Sequence, residues 1–195
     1  MKGKLYVFVL LLTSHLSYGQ DAYERYTNFF AIEVAPVVSS TGVGISPTFS
    51  VYRTGHKIDV GALVKVYDLW KEGPGIMGGY FGYKYYPNLR KNTFNLFFGY
   101  HATFSASNRG KLYPVIVVEP FDIKKYPDKA YLNEHMVGIG FDAQLGNNFY
   151  MFNDFSAGVL IKWYTYEGIE TESEIRSTGM VRLGIGFNVG HKRAK

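Results

Sequence analysis

The chain has no cysteine, so disulfide staples, thiolate zinc sites, iron–sulfur ligation and thiol nucleophiles are all excluded. Charge is scarce as well. Charged residues make up 19% of the chain against 47% apolar, too apolar for a disordered segment and too poor in charge for an ordinary water-facing surface. The net charge of +5 falls to +3 once Lys2 and Lys4 are set aside with the leader described below, which argues against nucleic acid as a partner. Long hydrophobic runs are missing: no stretch approaches the ~20 apolar residues of a membrane-crossing helix. What is abundant is Gly (22), Tyr (17) and Phe (15), a composition that favours one β-rich domain for 195 residues.

Lys2 and Lys4 precede the apolar run Leu5 to Leu12, and Ser17-Tyr18-Gly19 supplies small residues where a signal peptidase reads them. Residues 1–19 are therefore expected to be a secretory signal peptide, removed before Gln20, and with no lipidation cysteine the exported chain is not expected to be a lipoprotein. If the remainder enters a membrane, it does so as strands.

From Phe29 onward the sequence alternates with the period of a two-faced strand. Residues 94–105 place Phe94, Leu96, Phe98, Tyr100, Ala102 and Phe104 on one face, and Asn95, Phe97, Gly99, His101, Thr103 and Ser105 on the other. Residues 58–67, 136–145 and 181–190 repeat the pattern, and four further strands are expected at 29–38, 44–53, 76–86 and 149–166. Pro36 and Pro47 are expected to shorten their strands near the connection at 39–43. Links at 53–56, 87–91 and 146–148 are tight, whereas 68–75, 105–130 and 167–178 read as long loops, so short and long connections fall at opposite ends. The expected fold is all-β: an eight-stranded antiparallel up-and-down transmembrane β-barrel with a side-chain-filled lumen.

Such a barrel can be worn either way, as a soluble lipocalin-like ligand carrier or with its apolar face toward lipid. The polar face carries mainly Gly, Ser, Thr and Asn, which suits a crowded lumen better than a water-exposed surface. Two aromatic girdles are expected, with Tyr67, Trp70, Phe104, Tyr131, Trp163, Tyr164 and Tyr166 near the long loops and Tyr85, Tyr86, Phe149 and Tyr150 near the short turns.

In this alternation, over residues 29–191, the chain resembles the small eight-stranded outer-membrane barrels of Gram-negative bacteria, of the OmpX and OmpA transmembrane type. The resemblance implies a cell outer membrane location, residues 20–28 as a periplasmic arm, and residues 192–195 as a basic tail. It departs from many such barrels in following Phe187 with eight residues instead of ending on an aromatic, and no peptidoglycan-binding domain is expected after the barrel.

Projected inward, the alternation collects Glu33, Asp59, Glu134, Asp142 and Asp154 with Lys65, Lys84, Lys162 and Arg182, a lumen cluster expected to form ion pairs. His101 and Thr103 share that face, a loose likeness to the base and nucleophile of outer-membrane lipid A deacylases; an envelope-lipid enzyme is the alternative, and no catalytic residue is assigned. No cofactor or metal site is expected. In the loop 105–130, Tyr113, Val115, Ile116, Val117 and Val118 form an apolar run suited to packing on the rim, extending the wall, or meeting another envelope protein by strand addition. Glu167, Glu170, Glu172 and Glu174 make the last expected loop acidic, either solvated or bridged by divalent cations to lipopolysaccharide. Outer-membrane lipid and lipopolysaccharide are the expected surroundings, and the expected role is structural or interactive, without an open pore.

Overall fold

A computed structural model describes residues 28–67, 77–88, 93–107, 129–146, 148–166 and 169–189. The expected signal peptide, the arm up to residue 27, the loop run Tyr113 to Val118 and the basic tail lie outside these residues, while Asn28, expected in the arm, opens the first strand. Eight antiparallel strands follow one another around a closed barrel: β1 (Asn28–Ser39), β2 (Gly42–Arg53), β3 (His56–Tyr67), β4 (Met77–Tyr85), β5 (Phe94–Ser107), β6 (Lys129–Gln144), β7 (Phe149–Tyr166) and β8 (Ile169–Val189). Closure comes from β1 pairing with β8 from Phe30↔Val189 to Ser39↔Met180. A closed wall leaves no unpaired edge along the shared height of the strands, which is what hydrocarbon demands of a sheet.

The turn between β2 and β3 has two residues, Thr54 and Gly55, with φ of 47° and 84°. Positive φ at both positions matches a type I′ hairpin turn, whose twist fits the flanking strands.

The prolines do not shorten their strands. β1 and β2 stay in register past Val34↔Pro47 and Pro36↔Ile45. Instead, the ladder between β1 and β8 lapses at Ala35 and Pro36, and the one between β2 and β3 lapses at Ser46 and Pro47. Each proline lacks an N–H and turns that side toward a neighbour whose ladder skips two residues.

Two strands are longer than expected. β6 begins at Lys129 instead of 136, and β8 begins at Ile169 instead of 181, so the expected loop 167–178 is mostly strand. β7 and β8 remain paired to Tyr166↔Ile169, well beyond the last β1 pair at Ser39. The hairpin therefore rises above the short β1–β2 connection, and Glu170, Glu172 and Glu174 belong to a strand, where Glu174 meets Arg176 and Lys162.

Glycines on the inward face make room for large neighbours. A Cβ on Gly184 would meet the Phe152 ring at 2.5 Å, on Gly186 the Tyr150 ring at 2.2 Å, and on Gly140 the Phe97 ring at 2.3 Å. The small residues of the polar face are thus holes that admit aromatic knobs.

Candidate functional site

The lumen is built in layers. At the short-turn end, a chain of rings runs Phe29, Tyr52, Tyr86, Phe97, with centroid separations of 4.7, 5.7 and 5.4 Å. The backbone N–H of Gly55 in the β2–β3 turn donates to Tyr52 Oη at 3.0 Å, tying this layer to the turn. Tyr86 and Tyr150, expected in the girdle near the short turns, are buried here instead. Tyr85 and Phe149, one residue away from each, take the exposed positions, as a period of two requires. Asp142 belongs to this end, accepting from Tyr86 Oη at 3.0 Å and Asn95 Nδ2 at 3.3 Å.

Above the rings lies a charged centre. Lys57 Nζ pairs with Glu33 and lies 3.5 Å from Asp59 Oδ1, while Lys84 Nζ is 3.1 Å from Asp59 Oδ2. Tyr150 Oη donates to Glu33 at 2.5 Å, and Thr48 Oγ1 donates to its other oxygen at 3.3 Å. Across the barrel, Arg182 donates to Tyr80 Oη and has Asp154 3.9 Å away. His101 Nδ1 is bonded to Tyr80 Oη at 2.7 Å, and its Nε2 faces Asp154 Oδ2 at 3.1 Å. Glu33, Lys57, Asp59, Lys84, His101, Asp154 and Arg182 are all 0% exposed. Three carboxylates thus face three permanent cations, and Coulomb attraction in a low-dielectric interior offsets a desolvation cost of several kcal/mol per ion only when such groups are paired.

Phe152 sits among the cations. Lys84 Nζ is 4.6 Å from its ring centroid, Arg182 Cζ 5.3 Å and Lys57 Nζ 5.8 Å. The negative ring face provides what the carboxylates leave undone. Phe152→Leu, which keeps most of the volume, is expected to lower stability by about 1–2 kcal/mol through loss of these contacts. Urea unfolding in lipid vesicles reads the change, and an unaltered midpoint would show the ring to be filler.

Toward the long loops, Val37, Leu63, Tyr80, Met136 and Met180 form an apolar layer over the charged centre. Beyond it the lumen turns to hydroxyls. Glu134 accepts from Thr103 Oγ1 at 2.7 Å and Thr178 Oγ1 at 2.8 Å, and Ser40 Oγ lies 2.5 Å from Thr178 Oγ1.

Of the nine lumen residues expected from sequence, Glu33, Asp59, Lys84, Asp154 and Arg182 meet in one centre. Glu134 and Lys162 sit apart at the outer end and Asp142 at the other; the side chain of Lys65 is not among those the structure describes. Lys57 was missed because the strand was expected to begin at Ile58, although Lys57 shares the parity of Asp59. His101 and Thr103 do not form a dyad: the histidine is held by Tyr80 and Asp154, while Thr103 donates to Glu134.

The exterior is the reverse of the lumen. Phe98 is 58% exposed, Ile139 61% and Leu183 51%, within a belt that also includes Ile32, Val60 and Ile185. So continuous an apolar surface has no place in water and matches the lipid face of a membrane barrel. The inward-facing, lipocalin-like arrangement is ruled out by the same side chains.

The N-terminal β-barrel domain of Pseudomonas aeruginosa OprF superposes with a TM-score of 0.52 at 9% identity, over 84% of this chain and 98% of that one. The fold is that of a small outer-membrane β-barrel. Two further barrels superpose more loosely. A major outer membrane protein from Thermus thermophilus gives 0.44 at 12% identity over 84% and 100% of the two chains, and Neisserial surface protein A gives 0.40 at 12% over 83% and 96%. No family model and no curated protein sequence matches the chain.

Proposed function

We propose that this barrel resides in the outer membrane as a closed structural and interaction protein, steadying the envelope and presenting its outer rim to lipopolysaccharide or to another envelope protein. The observation that carries the reading is the charged centre, fully buried between an aromatic and an aliphatic layer. A wet channel needs a continuous polar path, whereas eight strands enclose only enough space for side chains to fill. The engaged state of His101 likewise favours a framework role for it over general-base work. Contact with a protein partner is assigned to the 105–130 loop, where Tyr113, Val115, Ile116, Val117 and Val118 supply an apolar, β-prone run.

Reconstitution into planar bilayers tests the closed lumen: the expected record is flat, and stable unitary conductance steps would overturn the reading. Photo-crosslinking from positions 113–119 in whole cells tests the interaction role. A single reproducible envelope protein is expected, and capture of lipid alone would remove the partner from the proposal.

A further inference from the structure

The lipid-facing wall has a groove of about 690 Å³, running across β5, β6 and β7. Phe98, Val137, Ile139, Phe155 and Ala157 border it, and the backbone of the paired Gly99 and Gly138 forms part of its floor. It is a shallow depression open along its length to the lipid side, suited to a flexible chain lying against the wall and not to an enclosed ligand.

Just above the groove, on the same outward face, stand Tyr100, which follows Phe98 on β5, and His135, which precedes Val137 on β6. Tyr100 Oη and His135 Nδ1 are 2.7 Å apart and the rings stack at 6.2 Å. A neutral Tyr–His pair owns two polar hydrogens, the phenol O–H and one imidazole N–H, and their mutual bond uses one of them in either tautomer. One donor remains, and among the described residues neither side chain makes another hydrogen bond.

His135 is paired with Ala102, two residues below Phe104, which stacks on Tyr131 in the outer girdle. That places the pair about 5 Å below the girdle, given the rise and tilt of barrel strands. Water is scarce at this depth and a donor without an acceptor is costly. The acceptor oxygens found just beneath lipid headgroups are ester and amide carbonyls, whose acyl chains descend toward the bilayer centre and so pass the level of the groove.

We propose that this groove binds an acyl chain of an outer-leaflet lipid and that the Tyr100–His135 pair donates its remaining hydrogen to that lipid's ester or amide carbonyl. The proposal rests on the lipid-facing exterior and is independent of any protein partner. A polar end toward the rim and an apolar trough toward the midplane fit a lipid's own polarity, which favours a lipid over a second copy of the chain.

Native mass spectrometry of the barrel in detergent tests it, using as probes an ester-linked diacyl phosphatidylethanolamine and its dialkyl ether counterpart. Folding of each variant is confirmed by the mobility shift of unheated samples on gels. The wild type is expected to retain the ester lipid about tenfold better than the ether lipid, and about tenfold better than the Tyr100→Phe, His135→Leu double variant. Ala157→Trp, which fills the groove from the outside without touching the pair, is expected to lose both lipids. Equal retention of ester and ether lipids, or retention unchanged in Ala157→Trp, would overturn the proposal. So would a dimer dissolved by Ala157→Trp, which would put a second copy in the groove. A protein soluble without detergent would instead remove the membrane reading itself, and the proposal with it.

Discussion

Lys57→Met lowers the stability of the barrel by about 3–5 kcal/mol, because it leaves buried carboxylates without their cation. Lys57 pairs with Glu33 and lies 3.5 Å from Asp59, and all three are fully buried. Methionine keeps much of the length of the side chain, so the loss is electrostatic and not a cavity effect. Urea unfolding in lipid vesicles measures it. The companion variant Lys57→Met with Glu33→Gln removes one stranded charge together with its partner and is expected to recover a substantial part of the loss, since neutralising both members of a buried pair costs far less than removing one. A single variant within about 1 kcal/mol of wild type would mean that water reaches the carboxylates, and the closed lumen would then be wrong.

The second large effect is steric. A Cβ on Gly158 would lie 1.9 Å from the backbone oxygen of His135 and 2.7 Å from Met136 Cα. Both atoms belong to the paired strand and cannot swing aside as a side-chain tip would, so β6 and β7 approach here more closely than any other residue permits. Gly158→Ala is expected to destabilise by at least about 3 kcal/mol, or to block closure altogether. Gly179 on β8 is the control, because its nearest atom would be 3.5 Å from the added carbon. The gel mobility of unheated samples separates closed from open barrels. Equal folding of Gly158→Ala and Gly179→Ala would contradict the close approach of the two strands.

How far the fold was legible in the sequence depended on depth in the membrane. β7 and the start of β5 match the expected strands, because Phe94 to Phe104 and Phe155 to Trp163 alternate cleanly where one face meets lipid. β6 and β8 were truncated at their outer ends, where Tyr131 and Asn133, or Ser173 and Ser177, face outward. Above the hydrocarbon, both faces of a strand are polar and the period of two loses its contrast. Apolar alternation therefore reports the thickness of the bilayer and not the length of the strand.

The charged centre was legible by parity, since Glu33, Asp59, Lys84, Asp154 and Arg182 follow from alternation alone. Its partners were not. Which acid meets which base depends on register between strands distant in sequence, as for Tyr150 with Glu33 and Arg182 with Tyr80. Tyr86 and Tyr150 show the other difficulty: beside a turn, one residue decides between girdle and lumen, and composition is silent on which.

Depth-dependent quenching is the most direct test of the orientation on which all this depends, and the absence of native cysteine makes single-site labelling clean. Fluorophores attached at cysteines replacing Phe98, Ile139 and Leu183, one at a time, are examined in vesicles of brominated lipid and then with aqueous iodide. Strong quenching by brominated acyl chains and little by iodide is the expected result at all three positions. Quenching by iodide with indifference to the brominated chains would place these side chains away from lipid and contradict a barrel with its apolar face outward and its ions within.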